Sequence, residues 1–107
     1  MVTLEDFKKL EIKIGTVISA ERVPEGEKLV KFVFDFGSEK RQIMAGVAEF
    51  FPDFSVLAGK QMPILINLEP RTFRGHESQG MIMAANLDGH PVFLSPEEKV
   101  PAGSVVK

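Results

Sequence analysis

The chain contains no cysteine, no tryptophan and no tyrosine, and only two of its 107 residues are histidine. Without cysteine there is no disulfide, no thiolate-held metal and no cysteine nucleophile. Without tryptophan or tyrosine, any aromatic platform for stacking bases would have to be built from phenylalanine alone. His76 and His90 both lie beside turn residues, and neither belongs to a His-x-x-His pair. No carboxylates cluster at metal-ligand spacing, so neither a metal nor a cofactor is expected. No GxSxG, P-loop or GxGxxG motif occurs. His76 and Ser78 are close in sequence, but nothing orients them as base and nucleophile. The chain therefore reads as no enzyme on its own. It also lacks the run of about 20 apolar residues needed to span a membrane. Its first residues, Met1 to Phe7, lack the basic start and apolar centre of a signal peptide. A cytoplasmic location is the expectation.

What is present is enough for one folded domain. Hydrophobic residues make up 44% and charged residues 26% of the chain. The length suits a single domain over residues 1–107. The net charge is −2, which argues weakly against a phosphate-rich partner. The distribution is less one-sided. Lys28 to Gly80 holds seven Lys and Arg against six Asp and Glu, so the remainder has six against nine. Acid is enriched towards the ends, which leaves room for a basic face in the middle.

The patterning is mostly of period two. Thr3 to Leu10 reads as a short helical turn with Thr3 as N-cap and Glu5-Asp6 at the positive end of the dipole. Ile12, Ile14, Thr16, Ile18 and Ala20 then alternate with Lys13, Gly15, Val17, Ser19 and Glu21, which predicts a strand with one buried face. Gly15 within it predicts a bulge or sharp bend. After the loop Pro24-Glu25-Gly26-Glu27, strands are predicted over 29–36 and 40–47 as a hairpin. Val30, Phe32, Phe34 and Phe36 share one face and read as core. Residues 48–59 read as a short helical segment interrupted by Pro52. Strands follow over 61–68 and 80–86, separated by a polar loop over 70–79. Asp88-Gly89 is a turn, and 91–94 a short sixth strand. Five main strands with a helical segment between the third and fourth match the order of an all-β, five-stranded Greek-key OB-fold barrel with short helices and N- and C-terminal extensions.

The loop Arg71-Thr72-Phe73-Arg74-Gly75-His76-Glu77-Ser78 carries the clearest binding chemistry. Arginine forks match phosphate oxygens, and an exposed phenylalanine can stack on a base. A solvated loop with Phe73 turned into the core fits the same residues. On the hairpin, Lys31 and Arg41 or Gln42 face outward, where such residues often serve only solubility.

Several blocks resemble a known family. They are Ile12-Lys13-Ile14-Gly15-Thr16-Val17, Arg41-Gln42-Ile43-Met44-Ala45-Gly46-Val47-Ala48, Asn67-Leu68-Glu69-Pro70-Arg71, Arg74-Gly75 and Ser78-Gln79-Gly80-Met81, with the tail Pro101-Ala102-Gly103-Ser104. Together they resemble the tRNA-binding domain at the C-terminus of many bacterial and archaeal methionyl-tRNA synthetases. The same domain occurs in free-standing structure-specific tRNA-binding proteins and in the endothelial-monocyte-activating polypeptide family. A related secretion-chaperone branch usually lacks Ser-x-Gly-Met, so that block favours the tRNA branch.

The resemblance implies an OB barrel that grips the outer corner of tRNA by shape and backbone, with little choice among tRNAs. Position by position, it implies that Asn67, Arg71, Arg74, Ser78 and Met81 line the site, flanked by Lys31, Arg41 and Gln42. The implied partners are tRNA, the catalytic part of a methionyl-tRNA synthetase (fused or separate) and a second copy of the chain in a homodimer. A free-standing tRNA-binding protein and a protein-binding chaperone module are the alternatives. For the homodimer the residues add one argument. Leu4, Phe7 and Leu10 at one end, and Val92, Phe93, Leu94, Val100, Val105 and Val106 at the other, exceed what a small barrel can bury inside itself.

Overall fold

Val30, Phe32 and Phe34 alternate along one strand and are fully buried, so the centre of the molecule is built from the phenylalanine face. The computed structural model describes residues 1–24 and 26–107. Glu25, in the expected loop Pro24–Glu27, lies outside the described residues. The elements run α1 (Leu4–Phe7), β1 (Ile12–Arg22), β2 (Val30–Asp35), β3 (Lys40–Ala45) and two 3-10 turns (Ala48–Phe50 and Phe54–Leu57). They continue with β4 (Gln61–Leu65), β5 (Arg71–Phe73), β6 (His76–Ser78), β7 (Met81–Ile82), β8 (Ala84–Leu87), β9 (His90–Phe93) and β10 (Val105–Val106).

The main sheet has the order β3-β2-β1-β4-β7 and is antiparallel throughout. It curls until β3 meets the segment before β7, where the Gln79 N–H donates to the Gln42 carbonyl at 2.8 Å. This is the expected Greek-key OB barrel, nearly closed. Inside it Phe32 stacks on Phe34, with centroids 5.6 Å apart, and meets Phe93 edge-on at 6.2 Å. Burial of each such ring contributes roughly 1.5–3 kcal/mol.

β1 departs from its expected pattern. Ile12 and Ile14 are buried, but on the outside of the barrel. They sit opposite Leu65 and Pro63, whereas the inward residues Ile64 and Met62 sit opposite Lys13 and Gly15. Directly paired residues face the same side of a sheet. The cover for Ile12 and Ile14 comes from the extensions. Phe7 and Leu10 from one end and Val105 and Val106 from the other line the surface around Ile12, while Leu94, Val100 and Val106 border Ile14. Val17 faces inward with Gly15, and a register shift between Val17 and Ser19 then brings Ala20 to the interior and leaves Ile18 44% exposed. Gly15 lies before the shift. A Cβ there would stand 3.0 Å from the rings of both Phe34 and Phe36, so its bare backbone makes room for them.

The extensions have more structure than their sequence announces. Thr3 and Asp6 form a capping box around α1. β10 pairs with Ile12 and Lys13 on the edge of β1 that β2 leaves free, and Gly103 and Ser104 continue the pairing to Ile14. The helical segment over 48–59 is present as two 3-10 turns on either side of Pro52. Asp53 caps the second; its carboxylate accepts from the Ser55 hydroxyl and N–H, which holds its pKa below the usual value. The expected strand over 80–86 is broken into β7 and β8 at Met83, whose N–H donates to the Pro63 carbonyl.

Candidate nucleic-acid interface

The segment read as a polar loop over 70–79 contains a hairpin. Arg71 pairs with Ser78, Thr72 with Glu77 and Phe73 with His76, leaving Arg74 and Gly75 as a two-residue turn. Their φ values are 50° and 84°. Two successive positive φ angles define the turn whose twist suits a tight hairpin, and asparagine-glycine is its usual occupant. An L-residue other than glycine, asparagine or aspartate pays about 1–2 kcal/mol for this conformation. Arg74 therefore sits, exposed, at a position where its backbone is disfavoured. Strain of this kind gathers at functional sites.

The base of the hairpin is anchored by residues far away in sequence. The Arg41 guanidinium donates through Nη1 to the carbonyls of Ile66 (2.6 Å) and Gln79 (3.1 Å), one at each end of the segment. Its Nε donates to Glu39 at 2.6 Å. The Gln42 side chain donates to the Glu77 carbonyl at 2.9 Å, and the Gln42 N–H donates to the Gln79 side chain at 3.0 Å. Ser78 is buried, at 3% exposure. Its hydroxyl accepts from the Met44 N–H and donates to the Gly80 carbonyl, both at 2.9 Å. Asn67 faces the opposite way, towards the N-terminal arm. Its side chain accepts from the Glu11 N–H at 2.8 Å and donates to the Lys9 carbonyl at 2.7 Å.

The eight residues singled out from sequence thus do not all reach one surface. Arg71, Arg74 and Met81 present exposed side chains, with Met81 at 42%. Arg71, Ser78 and Met81 also line one small cleft of about 50 Å³ with Met44, Leu68 and Phe73. Ser78, Arg41 and Gln42 are engaged in bonds that shape and mount the hairpin, and Asn67 in bonds that hold the N-terminal arm. Lys31 lies apart on β2, paired with Glu21 at 3.1 Å. Its neighbour across the ladder is Met44, which ties it to the rim of the cleft. Phe73 resolves neither as core nor as a bare surface ring. It is half-buried, and the Arg71 guanidinium lies over it, 4.9 Å from the centroid, a geometry that orients the arginine.

Sequence reasoning missed Glu39, Gln79, Met44 and Leu68. The first two complete the mounting and the last two form the cleft floor and wall. No periodicity marks Gln79, Met44 and Leu68, because what they meet lies on other elements, and Glu39 gains its role only through Arg41. Among the described residues, no group of three or more His, Asp or Glu could hold a metal ion. No helix there is long and apolar enough to cross a membrane.

Residues 12–105 match the family model described as "Putative tRNA binding domain". The chain belongs to this tRNA-binding domain family. It is 47% identical over 105 residues to a methionine–tRNA ligase of Archaeoglobus fulgidus, which covers 98% of this chain but 16% of the ligase. The chain thus spans about a sixth of the curated relatives it matches. Among solved structures it superposes on a MetRS-related protein from Pyrococcus horikoshii with a TM-score of 0.92 and 36% identity, covering 100% of this chain and 98% of that one. It also superposes on the chaperone CsaA of Bacillus anthracis with a TM-score of 0.88 and 28% identity, covering 100% and 99%. As a tRNA-binding domain, the chain has relatives both as a small part of a ligase and at its own length.

Proposed function

We propose that this tRNA-binding domain is a non-catalytic module, one domain over residues 1–107, that holds folded tRNA by shape and backbone and raises the tRNA affinity of a methionyl-tRNA synthetase, as an appended domain or a separate subunit. The observation that carries this reading is Arg74 at the strained tip of a hairpin whose base is bonded to the barrel on both sides. A rigid mount places a cation at a fixed point, which suits recognition of a fixed backbone shape. Arg71 and Arg74 neutralise phosphate, and Met81 gives an adaptable apolar contact beside them. Lys31 adds charge from the sheet. Asn67, Ser78, Gln42 and Arg41 border the site.

A homodimer acting in the cytoplasm completes the proposal. Leu4 at 67% and Val105 at 65% exposure, with Leu10 beside them, leave an apolar surface where the two extensions meet. Two-fold pairing buries such a surface and places two hairpins on one particle, which offsets the low net charge of each chain.

Fluorescence anisotropy with labelled tRNA tests the function. Binding that is weakened by combining Arg71→Ala with Arg74→Ala, in a domain that stays folded, supports it. Equal binding by the double variant contradicts it. The likeness to CsaA supports a second reading, a protein-binding chaperone module on the same fold. Under that reading an unfolded peptide displaces tRNA or binds where tRNA does not.

A further inference from the structure

We propose that Arg41 is a positioning residue, which sets the spacing between the two ends of the tRNA-binding hairpin and makes no phosphate contact of its own. The inference rests on the tRNA-binding reading above and goes beyond the family resemblance, which groups Arg41 with the residues flanking the site.

Three observations carry it. First, one nitrogen of the guanidinium bridges the carbonyls of Ile66 and Gln79, the residues where the chain leaves the barrel and where it returns. Two carbonyl dipoles directed at one point repel each other, and a cation between them turns repulsion into attraction. Second, Nε is fixed by Glu39 at 2.6 Å, so the plane of the guanidinium is set from its other side. The positive charge faces a carboxylate and two carbonyl oxygens, which leaves a weak outward field for phosphate. Third, both ends of the segment are tied to rigid structure beyond Arg41. The Ile66 N–H donates to the Glu11 carbonyl, and the Gln79 N–H to the Gln42 carbonyl. Arg41 is the cross-brace between these two anchors. The planar fork that holds several acceptors in fixed geometry is a property of arginine that lysine does not share.

Arg41→Lys is therefore the discriminating variant, since it keeps the charge and loses the bridge. A direct phosphate ligand tolerates lysine, which binds phosphate as a point charge. The brace does not. The expected result is a loss of tRNA affinity of about tenfold or more in both Arg41→Lys and Arg41→Ala, with the slope of log K against log salt unchanged. In an Arg71→Ala/Arg74→Ala background the further loss should shrink towards nothing, because the brace acts through those side chains. Hydrogen exchange on the RNA-free protein reads the same device independently. Arg41→Lys should speed exchange at the amides of the β5–β6 hairpin and leave those of β2 unchanged. If Arg41→Lys binds like wild type, if Arg41→Ala lowers the slope by about one contact and lysine restores it, or if hairpin exchange is unaltered, the proposal is overturned. If the wild-type domain fails to bind tRNA at all, the functional reading falls, while the exchange data still decide the role of Arg41.

Discussion

Arg74 and Gly75 share one turn and one backbone conformation, yet only Gly75 adopts it without strain. Arginine at the tip therefore carries a conformational cost that asparagine would not. Arg74→Asn is expected to keep or raise stability, by up to about 1 kcal/mol. It should weaken tRNA binding by about 1–3 kcal/mol, the range for hydrogen bonds involving charge. Urea denaturation and tRNA titration on the same sample check both halves. A variant that loses stability and keeps its affinity would assign the arginine to the fold.

Ser78 should behave in the opposite way. Its hydroxyl satisfies the Met44 N–H and the Gly80 carbonyl in a buried place. Ser78→Ala leaves both without that partner and should cost about 1–3 kcal/mol of folding stability. Any fall in tRNA affinity then follows from the disturbed hairpin base. A fully stable Ser78→Ala would contradict the structural role given to these two bonds.

Gly80 is held at φ 151°, and a Cβ there would approach the Leu65 carbonyl oxygen and Ile43 Cδ1 at 2.9 Å each. Backbone cannot give way cheaply at such a distance. Gly80→Ala is expected to destabilise the domain by more than about 1 kcal/mol, more than the gain usual for Gly→Ala at an unstrained site. Phe34→Ala should cost roughly 3–5 kcal/mol by opening a cavity in the core, without altering the arginines. Thermal and urea unfolding of the two variants provide the check.

Much of this was legible in the amino-acid order. The Phe32-Phe34-Phe36 face, the Thr3 cap, the break at Pro52 and the Asp88-Gly89 turn each rest on neighbours in sequence, and each is where the pattern puts it. The outcome differs where tertiary pairing decides. Ile12 and Ile14 alternate like core residues, but their register against β4 turns them outward, to be covered by segments remote from them. The hairpin at 71–78 has a polar composition without an apolar face, so period two was invisible there. For the candidate site, Arg71 and Arg74 stand out by chemistry alone. The tasks of Arg41, Gln42, Ser78 and Asn67 depend on carbonyls and amides that no side-chain pattern records.

The proposed homodimer rests on the apolar surface at the extensions. Sedimentation equilibrium at micromolar concentration should give twice 11.8 kDa. Combining Leu4→Glu with Val105→Glu alters two exposed positions and should yield folded monomers with weaker tRNA binding. A single-chain mass for the wild type rules the dimer out.

The central claim is met most directly by titrating the wild-type domain with folded tRNA across a range of salt concentrations, beside an unstructured RNA of equal length. Counterion release predicts that log K falls with log salt with a slope of roughly −3 to −6 if four to seven phosphates are neutralised. Folded tRNA should bind more tightly than the unstructured RNA at every salt concentration. An affinity indifferent to salt, or equal for the two RNAs, would contradict the account.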